Sequence, residues 1–369
     1  MGNTFITVQE IARQALPRLI ENLVFPNLCY RDFSNDFAMQ GDTIQVRKPV
    51  VYTAEEFNAV SGVTAQDITE STVPVKLDKI ATVDVEASAI ETAVNIDDLN
   101  RVFIEPAAVA LAQKINADGL ALHKDVFNTV DCATKDIAAL AKVRRALNEA
   151  KVPLNDRRAI WDAEADAAFM QLDAILHAEK SGTTQALREG SIGRVFGLEN
   201  YMSQAVKNVA TGITGATAVK VNGAVTAGAK QLAIDGTTLT GKLLAGEILY
   251  IAGKCYKVAE DTANASTNAI ATVKVTTELP EIGDNADVTL LKRAYTANLA
   301  FHPMAFAYVT RPLYNPNGEG VASYVTSYNG ISLRVTKGYN QTYKKSMYSM
   351  DVLYGYKTVY PELAVLALG

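Results

Sequence analysis

Gly41-Asp42-Thr43-Ile44-Gln45-Val46-Arg47-Lys48-Pro49 reads as a turn, a strand and a stop. Gly41 and Asp42 supply the turn. Ile44 and Val46 then alternate with Gln45 and Arg47, the two-residue period of a strand with one buried face. Pro49 has no N–H to give to a ladder, so it ends regular pairing or marks an edge. Beyond it, residues 52 to 71 are mostly polar, with Gly62 and the acids Glu55, Glu56, Asp67 and Glu70. Alternation returns at Val73, Val75 and Leu77, and again at Ala81, Val83 and Val85. The simplest object with this order is a long two-stranded arm with a mobile tip. An arm of that kind has little core of its own and is expected to order by docking on a partner.

Upstream, residues 7 to 25 read as a helix opened by Thr7 with Glu10 three positions on, the spacing of a reciprocal N-terminal cap. Pro17 is expected to kink or split it. Downstream, Pro106 stands where a helix can begin, and Leu111, Ile115, Leu122 and Val126 share one face. Continued to about residue 129, that helix would be roughly 35 Å long, with Gly119 weakening its end. A further helix is expected from Thr134 to about Lys151, then a turn at Asn155-Asp156, a short strand around Ile160 and a third helix from Ala163 to Leu176.

From Thr211 to Leu291 the composition breaks. These 81 residues hold 14 Ala, 13 Thr and 9 Gly, and no Arg, His, Phe or Trp. Short alternating runs at Val219-Val221, Leu232-Ile234, Ile248-Ile251, Tyr256-Val258, Val273-Val275 and Val288-Leu290 predict a small all-β barrel or sandwich. It reads as an insertion, because mixed α/β character resumes at Arg293. The last segment carries 11 of the 16 tyrosines, a loop at Asn315-Pro316-Asn317-Gly318, and strands near Ile331-Val335 and Met350-Tyr354.

At 369 residues the chain exceeds one ordinary core, so two or three domains are expected. With 49% hydrophobic and 20% charged residues it resembles neither a disordered chain nor a membrane protein. A net charge of -5 and a pI near 5.4 argue against a protein whose main task is to grip phosphate backbones; contact with nucleic acid should be loose. No signal segment or apolar span is evident, which predicts a chain made and kept in the cytoplasm. Cys29, Cys132 and Cys255 are odd in number and lack C-x-x-C spacing, so all three are expected to be reduced.

Catalytic chemistry finds little support. Gly236-Thr237-Thr238-Leu239-Thr240-Gly241-Lys242 matches a phosphate-binding loop until Leu243 replaces the Mg²⁺-holding hydroxyl, and its surroundings are β-rich where a helix is required. A turn with a solvated lysine is the expected reading. Asp162, Glu164 and Asp166 suit a helix cap and first turn better than a cation site, and Asp97-Asp98 has the same explanation. His123, His177 and His302 stand alone, outside any H-E-x-x-H pattern, and no G-x-S-x-G elbow is present. No enzyme activity, cofactor or metal is expected. Arg144-Arg145, Arg157-Arg158 and Lys344-Lys345 read as solvated or salt-bridged surface, any of which could face nucleic acid.

The arm segment Gly41 to Pro49 resembles the start of the extended loop in tailed-phage coat proteins of the Hong Kong 97 type. Three further stretches agree in order: Gly193-Arg194-Val195-Phe196-Gly197-Leu198-Glu199-Asn200-Tyr201-Met202-Ser203, before the insertion; Ala297-Asn298-Leu299-Ala300-Phe301-His302 with Thr310-Arg311-Pro312-Leu313, after it; and Asp351-Val352-Leu353-Tyr354-Gly355 with Pro361-Glu362-Leu363-Ala364, at the C-terminal strands. Their collinearity, with an insertion of this size at this place, points to the insertion-bearing coat proteins. The resemblance implies an α+β fold with an N-terminal arm (1–39), an extended β loop (40–88), a peripheral domain with a long helix (89–133) and an axial domain (134–210 and 292–369) split by the all-β insertion (211–291). It also implies a shell of pentamers and hexamers around double-stranded DNA, with scaffolding and portal proteins as partners, no membrane, and residence in the virion after assembly in the host cytoplasm. Arg47, Lys48, Glu55, Glu56, Asp67 and Glu70 are then expected at contacts between subunits. A phage tail or decoration protein would also lack catalytic motifs but would not need the helical block at 106 to 176, and a nucleotide-dependent enzyme would rest on Gly236 to Lys242 alone.

Overall fold

A computed structural model describes residues 8–31, 43–47, 72–88, 104–177, 188–318, 321–328, 330–340 and 345–369. The chain divides into two compact units, each assembled from distant stretches: Met1–Leu23, Cys29–Lys114 and Phe306–Val359 form the first, and Val24–Leu28, Ile115–Ala305 and Tyr360–Gly369 the second.

The first unit is built on a five-stranded antiparallel sheet. Its spine is the strand Lys345–Thr358, flanked on one side by Phe306–Arg311 and Ile331–Asn340, the latter continuing to Ala322–Tyr328, and on the other by Lys79–Ser88. The helix Val8–Asn22 packs on Ala322–Tyr328 and Ile331–Asn340 with Ile11, Ala12, Ala15, Leu16 and Leu19 buried. Pro17 does not split this helix: it lies on the exposed side, so the missing N–H costs one hydrogen bond, about 3 kcal/mol with the ring clash, against five buried side chains of the opposite face. Its first residue is Val8, and Thr7 lies outside the described residues.

The second unit has a seven-stranded mixed sheet, ordered Thr129–Asp131, Ala364–Leu368, Tyr295–Phe301, Arg158–Trp161, Leu198–Met202 and Arg194–Val195, with Asn208–Val209 also paired to Tyr295–Phe301. All five residues of Ala364–Leu368 are buried, as in a strand covered on both faces. Leu140, Val143 and Leu147 of the helix Ile137–Glu149 pack with Trp161, Phe169, Ala300 and Val365, and the Trp161 and Phe169 rings meet edge-on at 4.9 Å. Asp136 caps that helix, accepting the Ala139 N–H at 2.7 Å. Asp162 occupies the cap position of Ala163–Met170 but makes no side-chain cap bond. Instead its own N–H donates to Asn298 Oδ1 at 2.8 Å. The long helix spans Glu105–Leu120 and stops just after Gly119, where a tighter 3₁₀ turn, Ala121–Asp125, replaces the continuation to residue 129 expected from periodicity.

Residues 211 to 291 hold short strands around one apolar core. One three-stranded ladder joins Lys220–Val221, Gln231–Asp235 and Ala269–Lys274; another joins Lys254–Lys257, Ile248–Ile251 and Val288–Leu290; Ile213–Gly215 pairs with Thr240–Gly241. Val221, Ile234, Leu249, Val258 and Val273 are fully buried in that core. No helix among the described residues is long and apolar enough to cross a membrane.

Candidate assembly site

The arm is a short antiparallel ladder in which Thr43–Arg47 pairs with Thr72–Lys76, Ile44 opposite Val75 and Val46 opposite Val73. The alternating apolar positions thus meet on one face, which is what fixes register in a two-stranded ribbon. Arg47 ends the first strand opposite Thr72. Lys48, Glu55, Glu56, Asp67 and Glu70, and with them the whole tip, lie outside the described residues. At the base of the ladder Val75 and Leu77 are fully buried, and the main chain at Lys76 runs against the spine strand. A Cβ built on Gly355 would lie 2.2 Å from the Lys76 carbonyl oxygen, so only glycine lets the two backbones approach.

The third alternating segment does not extend the arm. Lys79–Ser88 joins the five-stranded sheet, pairing residue by residue with Lys345–Tyr354. Arg334 and Asp351 lock two neighbouring strands together there: Arg334 donates to Asp351 Oδ2 from Nε at 2.9 Å and Nη2 at 2.6 Å, and Ser349 Oγ donates to Oδ1 at 3.0 Å. The Asp351 carboxylate is 6% exposed. Each lone pair finding a donor is what makes a buried charge tolerable. At the far end Lys345 pairs with Glu86 at 2.8 Å, an exposed contact of small value.

Several of the groups considered for catalysis have structural partners, while Asp97 and Asp98 lie outside the described residues. Gly236 to Leu239 turn into the two-residue strand Thr240–Gly241, no helix follows, and Lys242 pairs with Asp261 at 3.1 Å. Glu164 is paired with Lys135. Asp166 has its carboxyl pushed up by burial and then by the Asp162 charge. No group of three or more His, Cys, Asp or Glu side chains stands ready for a metal among the described residues. Of the arginine pairs, Arg145 bonds Glu149 one helical turn on at 2.7 Å. Arg157 is not surface: it is 2% exposed, and its guanidinium donates to the Pro153 and Val152 carbonyls and to Asn148 Oδ1 at 2.6–2.8 Å. Arg158 Nη1 donates to the Leu28 carbonyl at 2.7 Å. Lys344 lies outside the described residues.

Sequence reasoning missed Lys257, whose side chain is 1% exposed at the end of Lys254–Lys257. Strand parity carried a signal for it, because Lys257 shares a face with Cys255, a residue type seldom exposed.

No family model matches the sequence, and no curated protein matches it. Solved structures do. A chain from Mycobacterium phage Che8 superposes with a TM-score of 0.55 at 17% identity, over 94% of this chain and 90% of that one. The capsid structure of cyanophage P-SCSP1u gives 0.50 at 12% identity, over 94% and 88%. The chain has a phage-capsid fold. The capsid of an empty GTA particle agrees in the same way, with a TM-score of 0.50 at 9% identity over 94% and 90%. In this α+β capsid fold of the Hong Kong 97 type, the described arm strand Thr72–Lys76 lies against the spine strand Lys345–Thr358.

Proposed function

We propose that this chain is a major capsid protein, a structural subunit without enzymatic activity that assembles with its own copies into the icosahedral shell of a tailed phage. The observation that carries the reading is the agreement of 94% of the chain with capsid structures of a cyanophage and of a GTA particle. Two of the side chains weighed for catalysis fit that reading, since Glu164 pairs with Lys135 and Lys242 with Asp261. In this reading copies form pentamers and hexamers, scaffolding and portal proteins assist them, and double-stranded DNA is held by loose contact, as an overall charge of -5 suits. The finished subunit resides in the virion, after assembly in the host cytoplasm. The part of the expected loop that precedes Lys79 lies over a neighbour, with Arg47, Lys48, Glu55, Glu56, Asp67 and Glu70 at the contact, and 211 to 291 is an inserted domain. Weak contacts of this kind become strong in a closed shell, because freeing one subunit breaks several at once. Light scattering on the purified protein, with and without a co-expressed scaffold, tests the reading: capsomers or particles far above 39.7 kDa support it, and a stable monomer under every salt condition refutes it.

A further inference from the structure

The β insertion meets the rest of its unit along a polar seam. Tyr250 Oη and Thr129 Oγ1 lie 3.0 Å apart, Tyr295 Oη donates to the Gly246 carbonyl at 2.6 Å, and Thr276 Oγ1 donates to the Lys124 carbonyl at 3.1 Å. Lys257 reaches across the same seam, and its Nζ donates to the carbonyl of His123 in the 3₁₀ turn Ala121–Asp125. An ammonium carries three N–H donors and a strongly hydrated charge, whereas a neutral amine carries two donors and no charge. Among the described residues this buried amine meets one acceptor and no carboxylate salt bridge, a setting that suits the neutral form.

We propose that Lys257 is a pH-sensitive latch: uncharged, its amine holds the insertion on the turn Ala121–Asp125, and taking up a proton loosens that hold. The groups around it leave the charge poorly compensated. Among the described residues Cys255 and then Asp125 are the groups that favour the charge on Lys257, and burial itself raises the Cys255 thiol. Lys124 and Lys207 add positive charge to the same neighbourhood, where burial first and Lys257 next push the His123 imidazole down to about 3, so it stays neutral. His123 Nδ1 faces the Leu120 carbonyl at 3.0 Å and therefore carries the ring proton; Nε2 is buried with no hydrogen-bond partner. Burial lowers the Lys257 amine from 10.5 to about 7, only partly opposed by Cys255 and Asp125.

Once the seam opens, Lys257 returns to its ordinary value. Between about 7 and 10.5 the open form then binds a proton that the closed form lacks, so closure strengthens as pH rises through that window. It weakens as pH falls toward 7 and levels off below.

Hydrogen exchange of the full chain, read by mass spectrometry on peptides covering 121–129, 245–258 and 274–278 and corrected for intrinsic rates, tests this. Between pH 7 and 9 the protection of these peptides should rise by roughly 10-fold or more, the linkage limit being about 10-fold per pH unit. In Lys257→Met, which fills similar space without a titrating group, the rise should vanish. Thr276→Val, which removes a neighbouring seam bond, should lower protection at both pH values and keep the slope. A flat wild-type profile, or the same slope in Lys257→Met, overturns the latch. Should Lys257→Met fail to fold, NMR of wild-type protein carrying ¹³Cε-lysine decides: a Lys257 midpoint below about 9 supports the latch and one above it overturns it.

Discussion

Gly355→Ala should loosen the base of the arm while leaving the chain folded. The added Cβ would sit 2.2 Å from the Lys76 carbonyl oxygen and 3.1 Å from both Lys76 C and Val309 Cγ2. The first distance is more than roughly 1 Å short of a comfortable non-bonded contact. The clashing atoms are largely main chain, held by the pairing of Val309 with Gly355 and by the buried Val75 and Leu77 on either side of Lys76, so no side-chain end can swing away. Overpacking of this sort costs about 1–3 kcal/mol, and the rigid partner puts the expectation at the upper part of that range. For a unit of this size, that is a fall in melting temperature of roughly 4–12 °C. The control is Gly338→Ala in the neighbouring strand, where nothing lies within 4 Å of the added carbon and the change should stay within about 0.5 kcal/mol. Urea titration of both variants, with limited proteolysis at 43 to 76, reads the effect. If Gly355→Ala is as stable as Gly338→Ala and its arm is no more easily cut, the close approach of arm and spine strand is not real.

Arg334→Met should cost about 3–5 kcal/mol by stranding the Asp351 carboxylate, whereas the double change Arg334→Met with Asp351→Leu should recover most of it; denaturant midpoints of the two variants check this. Lys242→Ala should leave stability within about 0.5 kcal/mol, because its ion pair with Asp261 is half exposed, and an ATP titration should show the same absence of binding in wild type and variant. Some coat proteins of this type cross-link a loop lysine to a neighbour's asparagine, yet residues 49 to 75 contain no lysine. Assembled shells should therefore run as monomers on a denaturing gel, and a ladder of oligomers would contradict this.

How far the sequence could be read depended on the range of the interactions involved. The arm strands were legible because a two-residue period and a stop at Pro49 are local signals, and the short strands of 211 to 291 were legible from their own alternation and turn residues. The partner of Lys79–Ser88 was not, since period-2 patterning tells which face is buried and not which distant strand lies alongside; here it is Lys345–Tyr354. The long helix was recognised, but its end was not, because Gly119 only weakens a helix, and the burial of Leu120 and His123 where the 3₁₀ turn begins is not a local signal. Arg157 looked like solvent-facing charge in an Asn-Asp-Arg-Arg turn; its partners are two main-chain carbonyls that only the folded loop turns inward. Asp162 was placed correctly as a cap position, yet Asn298, more than a hundred residues away, takes over its N–H. The loop charges Lys48, Glu55, Glu56, Asp67 and Glu70 could be selected from sequence as the charges of a polar loop, but a contact with another copy has no signature inside one chain.

Cryo-electron microscopy of the purified assemblies bears most directly on the central claim. Closed icosahedral particles should appear, with five- and six-fold capsomers made of this chain and density for the arm Thr43–Lys76 lying across an adjacent copy. Monodisperse single subunits under all assembly conditions, or particles in which the arm folds back on its own subunit, would contradict it.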